Sequence, residues 1–169
     1  MRILGVDPGY AILGYGVVES QGTKYRLVEC GVITTEAGEE MPRRLQTIYG
    51  ELMEIIRVFE PEVASVEELF FNSNAKTAIK VGEARGAAIL ACANSGLPVY
   101  EYTPLQIKQA LSGYGRAGKE QIQQIVKSVL GLAEVPRPDD AADAVAAAIC
   151  HANAAGYIDR VARAVKGGK

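Results

Sequence analysis

Histidine occurs once in this chain, at 151, and cysteine three times, at 30, 92 and 150. A serine-histidine-aspartate site would have to use His151, which directly follows Cys150 in a helical pattern with no serine partner in view. That histidine reads instead as a surface or interface residue. A zinc site built from histidine and cysteine lacks its ligands. The cysteines are odd in number, far apart and set in apolar stretches, which excludes a disulfide framework and suits reduced core thiols. No apolar run approaches the ~18 residues of a membrane span. Met1-Arg-Ile-Leu-Gly-Val-Asp7 meets an acid too early for a signal peptide. The expectation is a cytoplasmic protein with no membrane association.

The 169 residues are 49% hydrophobic and 22% charged, enough for one domain with a real core. The net charge of -2 argues against a polyanionic partner until its distribution is read. Residues 1–71 carry a net -6, whereas residues 72–127 carry a net +4 through Lys76, Lys80, Arg85, Lys108, Arg116, Lys119 and Lys127. A basic segment beside an acidic, metal-holding one suits nucleic acid. The plainer reading of the same charges is a solvated helix face.

Residues 2–7, 14–20 and 25–34 read as three strands joined by short turns, hence an antiparallel meander. Pro42 opens a helix to Phe59 whose apolar residues recur at spacings of 3 and 4. Residues 63–67 form a short buried strand, parallel to the first by virtue of the intervening helix. A loop at 70–74 precedes a long helix over 75–95, and residues 99–102 form a fifth strand. Thr103-Pro104 opens a helix to about Ser112, a second helix spans 119–130, and the last runs from Asp139 to Gly156, with a break there before any continuation. The product is an α/β fold with a mixed five-stranded sheet flanked by helices.

Asp7 and Glu67 each end an apolar run, and Asp140 and Asp143 open an Ala-rich helix three residues apart. Carboxylates at the edge of a core are costly unless paired or bound to metal. Three segments that each bring one there suggest a shared cation. Hard oxygen donors suit Mg²⁺ or Mn²⁺, and two such ions serve phosphodiester cleavage. Helix capping is the competing explanation: it fits Asp139 as N-cap but not Asp143, which lies beyond the first turn. Asp7-Pro8-Gly9 is also a turn signal, and either Glu67 or Glu68 could face inward.

Gly113-x-Gly115-x-x-Gly118-Lys119 matches a dinucleotide fingerprint only formally, because it follows a helix rather than a strand. It reads as a flexible loop presenting Arg116 and Lys119 to phosphate, or as a plain turn between helices. Phe70 and Phe71 could stack on bases or plug the core. Gly82 and Gly86, with Ala84, Ala87 and Ala88, give the long helix a small-residue face for the sheet or for a second subunit.

Gly5-Val-Asp7-Pro-Gly9 with Gly14-Tyr-Gly16, Val66-Glu67-Glu68-Leu-Phe70, Gly82-Glu-Ala-Arg-Gly86 and Asp139-Asp140-Ala-Ala-Asp143 resemble, in order and spacing, the RuvC family of bacterial Holliday-junction resolvases. The resemblance extends to about His151. It implies a ribonuclease-H-like fold, a homodimer, and paired symmetric nicks in four-way junction DNA; the nuclease domain is expected over 1–156 with a partly flexible extension over 157–169, onto which no family motif carries over. It implies two Mg²⁺ per subunit, with Mn²⁺ as a substitute, held by Asp7, Glu67, Asp140 and Asp143, and so selects Glu67 over Glu68. Some members carry histidine where this chain has Asp140. Lys108 and Lys119 fall on phosphate-contacting positions, Lys119 at the scissile phosphate, and Phe70 on the junction-binding aromatic. Lys76, Lys80 and Arg116 join the expected DNA-binding set by charge. A T-rich cut site and cooperation with the RuvAB branch-migration complex are also implied.

The rivals are a ribonuclease-H-like nuclease acting on RNA, a catalytically silent junction-binding module, and an actin-like ATPase, whose phosphate loop resembles the Gly5–Gly16 segment. The ATPase would need two related domains, for which 169 residues are too few.

Overall fold

The computed structural model describes residues 1–68 and 75–167, and the side chains of 1–68 and 77–156. Strands β1 (Arg2–Asp7), β2 (Ile12–Gln21) and β3 (Lys24–Thr34) form the expected meander. Helix α1 (Met41–Phe59), strand β4 (Val63–Glu67), helix α2 (Ala75–Asn94) and strand β5 (Val99–Tyr102) follow. Helices α3 (Pro104–Ser112), α4 (Lys119–Leu130) and α5 (Asp139–Gly167) complete the chain. The sheet order is β3-β2-β1-β4-β5, with β1 antiparallel to β2 and parallel to β4.

Each helix lies where its sequence sends it. Arg44, Ile48, Leu52 and Ile56 recur every fourth residue and make the buried stripe of α1, which ends in left-handed Glu60 just before Pro61. Together with α2 it covers one sheet face. The other face belongs to α5, flanked by α3 and α4. At the start of α3, Thr103 and Gln106 close a capping box.

Helix α5 does not stop at Gly156. It continues to Gly167 without a break. One glycine costs a helix only about 1 kcal/mol, and the Ala- and Arg-containing stretch beyond it favours continuation. His151 is likewise not a surface residue: it is 5% exposed. Its Nδ1 lies 2.8 Å from the Tyr102 hydroxyl, and its ring lies against Tyr100. The inward face of α5 runs through position 151, and imidazole is tolerated there because the Tyr102 hydroxyl satisfies it. Cys92 and Cys150 are buried and Cys30 is half-buried, all three as free thiols. Among the described residues, no helix is long and apolar enough to cross a membrane.

What seats α5 is a row of small residues across the sheet. Gly16, Gly5 and Ser65 are register neighbours on β2, β1 and β4. A Cβ on Gly5 would stand 1.9 Å from the Ala144 carbonyl oxygen, and one on Gly14 would stand 1.9 Å from that of Asp140. On Gly16 it would meet Val145. The buried Ser65 hydroxyl donates to the Ala147 carbonyl at 2.7 Å, tying the same helix to β4. The backbone of α5 therefore rests on the sheet without intervening side chains, which fixes the height of Asp140 and Asp143 above β1.

Candidate active site

Asp7 and Glu67 are the last residues of neighbouring parallel strands, in step because Val6 pairs with Val66. Their carboxylates open into a cleft of about 280 Å³, lined also by Asp143, Lys108, Lys119, Pro104, Ile107, Ile122 and Ala146. Strand ends of such sheets are the usual place for a site. Glu68, the alternative to Glu67, is not in that lining, and its backbone N–H donates to the Tyr102 carbonyl at 2.8 Å.

The electrostatics are those of crowded acids. Burial, then the negative charges of Asp143 and Asp140, push Asp7 up to about 7, with Lys119 opposing. Burial, then Asp7 and Asp143, push Glu67 up to about 8, opposed by Lys108 and Lys119. Lys119 is the main counter-charge. Its Nζ lies 2.9 Å from Asp143 Oδ2 and 3.5 Å from Asp139 Oδ2, and the Asp143 hydrogen bond raises its pKa.

Asp140 takes a separate place. Its charge bears on Asp7, and it does not line the cleft. Residues three apart on a helix differ by roughly 60° in direction, enough to separate it from Asp143. Asp139 is not the cap of α5 but its first helical residue, since the Ala141 N–H already reaches the Pro138 carbonyl. Its carboxylate goes to Arg137 at 2.7 Å and to Lys119.

Among the described residues, no three of the Asp, Glu, His and Cys side chains close into a metal shell. Asp7, Glu67 and Asp143 share a cleft but remain apart, with the Lys119 ammonium on Asp143. The donor set nevertheless suits a hard divalent cation: all are carboxylate oxygens, half-buried and mutually repelling, and once ionised they carry more negative charge than Lys108 and Lys119 offset.

The other sequence-selected residues scatter. Lys108 and Lys119 line the cleft. Arg116 is exposed on the α3–α4 loop, outside the cleft lining. Lys80 lies over the Tyr10 ring in a second cavity, shared with buried Arg44. Arg85 is committed to an ion pair with Glu101. Lys76 sits in the first turn of α2, and Phe70 and Phe71 lie outside the described residues.

The glycines of the 113–118 loop serve the chain itself. Gly113 is the left-handed cap of α3 at φ 80°, Gly118 caps α4, and Gly115 packs on Leu105. The faces of Gly14 and Gly16 are filled by α5 rather than open to a phosphate. Sequence reasoning missed Ser65 and Gly5 as supports of the site. The signal was present in small residues at one register row of a Val-rich sheet.

Residues 3–151 match the family model described as crossover junction endodeoxyribonuclease RuvC. The chain is 61% identical over 153 residues to the crossover junction endodeoxyribonuclease RuvC of Pelotomaculum thermopropionicum, covering 90% of this chain and 93% of that one. It is 55% identical to the protein of the same name from Caldanaerobacter subterraneus, covering 95% and 98%. Among solved structures, Thermus thermophilus RuvC in complex with a Holliday junction substrate superposes with a TM-score of 0.85 at 41% identity, covering 92% of this chain and 95% of that one. The yeast mitochondrial Holliday junction resolvase shares the fold, with a TM-score of 0.66 at 13% identity, over 96% of this chain and 80% of that one.

Proposed function

The chain belongs to the RuvC family of crossover junction endodeoxyribonucleases and acts as an endonuclease on four-way DNA junctions; we propose that it nicks them in symmetric pairs, with Mg²⁺, at the cleft between Asp7, Glu67 and Asp143. The observation that carries this reading is the pair Asp7 and Glu67 at adjacent strand ends, both held far above the usual carboxylate range beside two lysines.

Asp7, Glu67 and Asp143 would hold the ions, with Asp140 completing the set. Bound there, divalent ions supply the charge that activates water and steadies a leaving oxygen. The chain's own residues do the rest. Lys119 brings positive charge to the scissile phosphate, and Lys108 meets the backbone deeper in the cleft. Lys76, Lys80 and Arg116 extend the contact to flanking phosphates, and Phe70 opens base pairs near the crossover.

Protonated carboxyls must lose their protons before a cation enters, so Mg²⁺ binding strengthens as pH rises through 7 and 8. The gain in thermal stability on adding Mg²⁺ is expected to be several degrees at pH 8.5 and about 1 °C or less at pH 6. Differential scanning fluorimetry at the two pH values checks it. An equal gain at both would contradict carboxylate binding in this cleft.

A second copy of the chain fits α2. Its inward face packs through Ala84, Ala88 and Ala91. Gly82 and Gly86 meet open space, and Ile79 and Leu90 are 63% and 52% exposed. A two-fold dimer through this helix would match the symmetry of the junction. Leu90→Glu is expected to yield monomers in light scattering and to uncouple the two nicks. A dimer that persists in that variant would move the interface elsewhere. We place the enzyme in the cytoplasm, working with the RuvAB branch-migration complex.

A further inference from the structure

Asp139 does not line the cleft, yet it touches a residue that does. Its Oδ2 lies 3.5 Å from Lys119 Nζ, and its Oδ1 accepts from Arg137 Nη1 at 2.7 Å. Capping does not account for this arrangement, because the Pro138 carbonyl already begins the helix.

Lys119 has its shorter contact with Asp143, at 2.9 Å. A divalent cation on Asp143 competes with that ammonium for the carboxylate's charge. Once Asp143 carries a cation, its hold on the ammonium weakens and the cation repels that ammonium by like charge. Asp139 stands outside the cleft, within reach of the same ammonium, and is anchored by Arg137.

We propose that Asp139, clamped by Arg137, is a positioning residue that holds the Lys119 ammonium at the mouth of the cleft when Asp143 is engaged. This rests on the reading that Lys119 acts at the scissile phosphate. The chain Arg137–Asp139–Lys119–Asp143 then works as a hand-over: Lys119 is shared by two acids in the free protein and retained by the outer one in the loaded protein.

The test compares wild type, Asp139→Asn, Asp139→Glu, Lys119→Ala and the Asp139→Asn/Lys119→Ala double variant on a synthetic four-way junction. Affinity is measured in EDTA, and cleavage of the bound junction is followed over a single turnover in Mg²⁺. Asp139→Asn is expected to slow cleavage about 5- to 10-fold without weakening binding, and Asp139→Glu to recover most of the loss. The double variant should be no slower than Lys119→Ala alone, because Asp139 acts only through that lysine. Side-chain ammonium NMR of ¹⁵N-lysine protein gives a readout independent of activity. The Lys119 signal, assigned by its loss in Lys119→Ala, should survive Mg²⁺ addition in wild type and broaden in Asp139→Asn. Wild-type cleavage by Asp139→Asn beside an impaired Lys119→Ala would overturn the positioning role, as would a further slowing in the double variant. Normal cleavage by Lys119→Ala would instead remove the role of Lys119 itself and the positioning role with it.

Discussion

Asp7→Asn is expected to abolish junction cleavage, by more than about 10³-fold, while the variant still binds the junction. Asp7 is the acid that both Asp140 and Asp143 crowd, so its loss removes the charge at the centre of the set. The same substitution should make the metal-free protein more stable at alkaline pH. The folded Asp7 titrates near 7 against an ordinary 3.8. Between those values the folded state keeps a proton that the unfolded chain has lost, so stability falls as pH rises through the window. By pH 8 the whole cost is present, and asparagine relieves roughly 2–4 kcal/mol of it, against almost nothing near pH 4. Urea denaturation in EDTA at the two pH values measures the difference. A variant that is less stable than wild type at pH 8 would mean that Asp7 is already neutralised by partners in the fold. A variant that still cleaves would leave the ions without their central ligand and displace the site.

Gly14→Ala is expected to lower cleavage about 100-fold without touching any acid. Gly14 is the register partner of Asp7, and its missing side chain is where the Asp140 carbonyl sits. A methyl there would lie 1.9 Å from that oxygen, so the start of α5 must lift by roughly 1–1.5 Å. Asp140 and Asp143 rise with it, away from Asp7 and Glu67. Overpacking of this kind also costs about 1–3 kcal/mol of stability, which thermal unfolding reads separately. Gly50→Ala is the control: Gly50 lies inside α1 with nothing within 4 Å of the added carbon, and alanine there should be neutral or slightly stabilising. Normal cleavage by Gly14→Ala would show that the height of α5 over the sheet does not matter to the chemistry.

Much of this fold is legible in the sequence because period and punctuation are local. The Val- and Ile-rich runs ending at Asp7 and Glu67 give two strands, the intervening amphipathic helix makes them parallel, and the two acids then fall side by side. The i, i+3 rule brings Asp140 and Asp143 to one end of α5, but it cannot distinguish the acid that enters the cleft from the one beside it. That choice is made by how deeply α5 sits on Gly5, Gly14 and Gly16, a tertiary contact with no local signal. Burial of His151 follows from the same docking, which turns position 151 toward Tyr100 and Tyr102. Asp139 looked like a cap because acids favour that position. Its ion pairs depend on α4 arriving from elsewhere in the chain. The Gly14-x-Gly16 pattern suggested a phosphate loop to one reading, and the helix that fills it is more than a hundred residues away in the chain.

The central claim is that this cleft cuts four-way junctions with a divalent metal. Nicking of a synthetic junction and of linear duplex of the same sequence, with Mg²⁺ and with EDTA, tests it most directly. The expected result is paired, symmetric nicks in the junction alone, in Mg²⁺ alone. Equal cutting of linear duplex, cutting of an RNA–DNA hybrid in preference to the junction, or undiminished nicking in EDTA would contradict it.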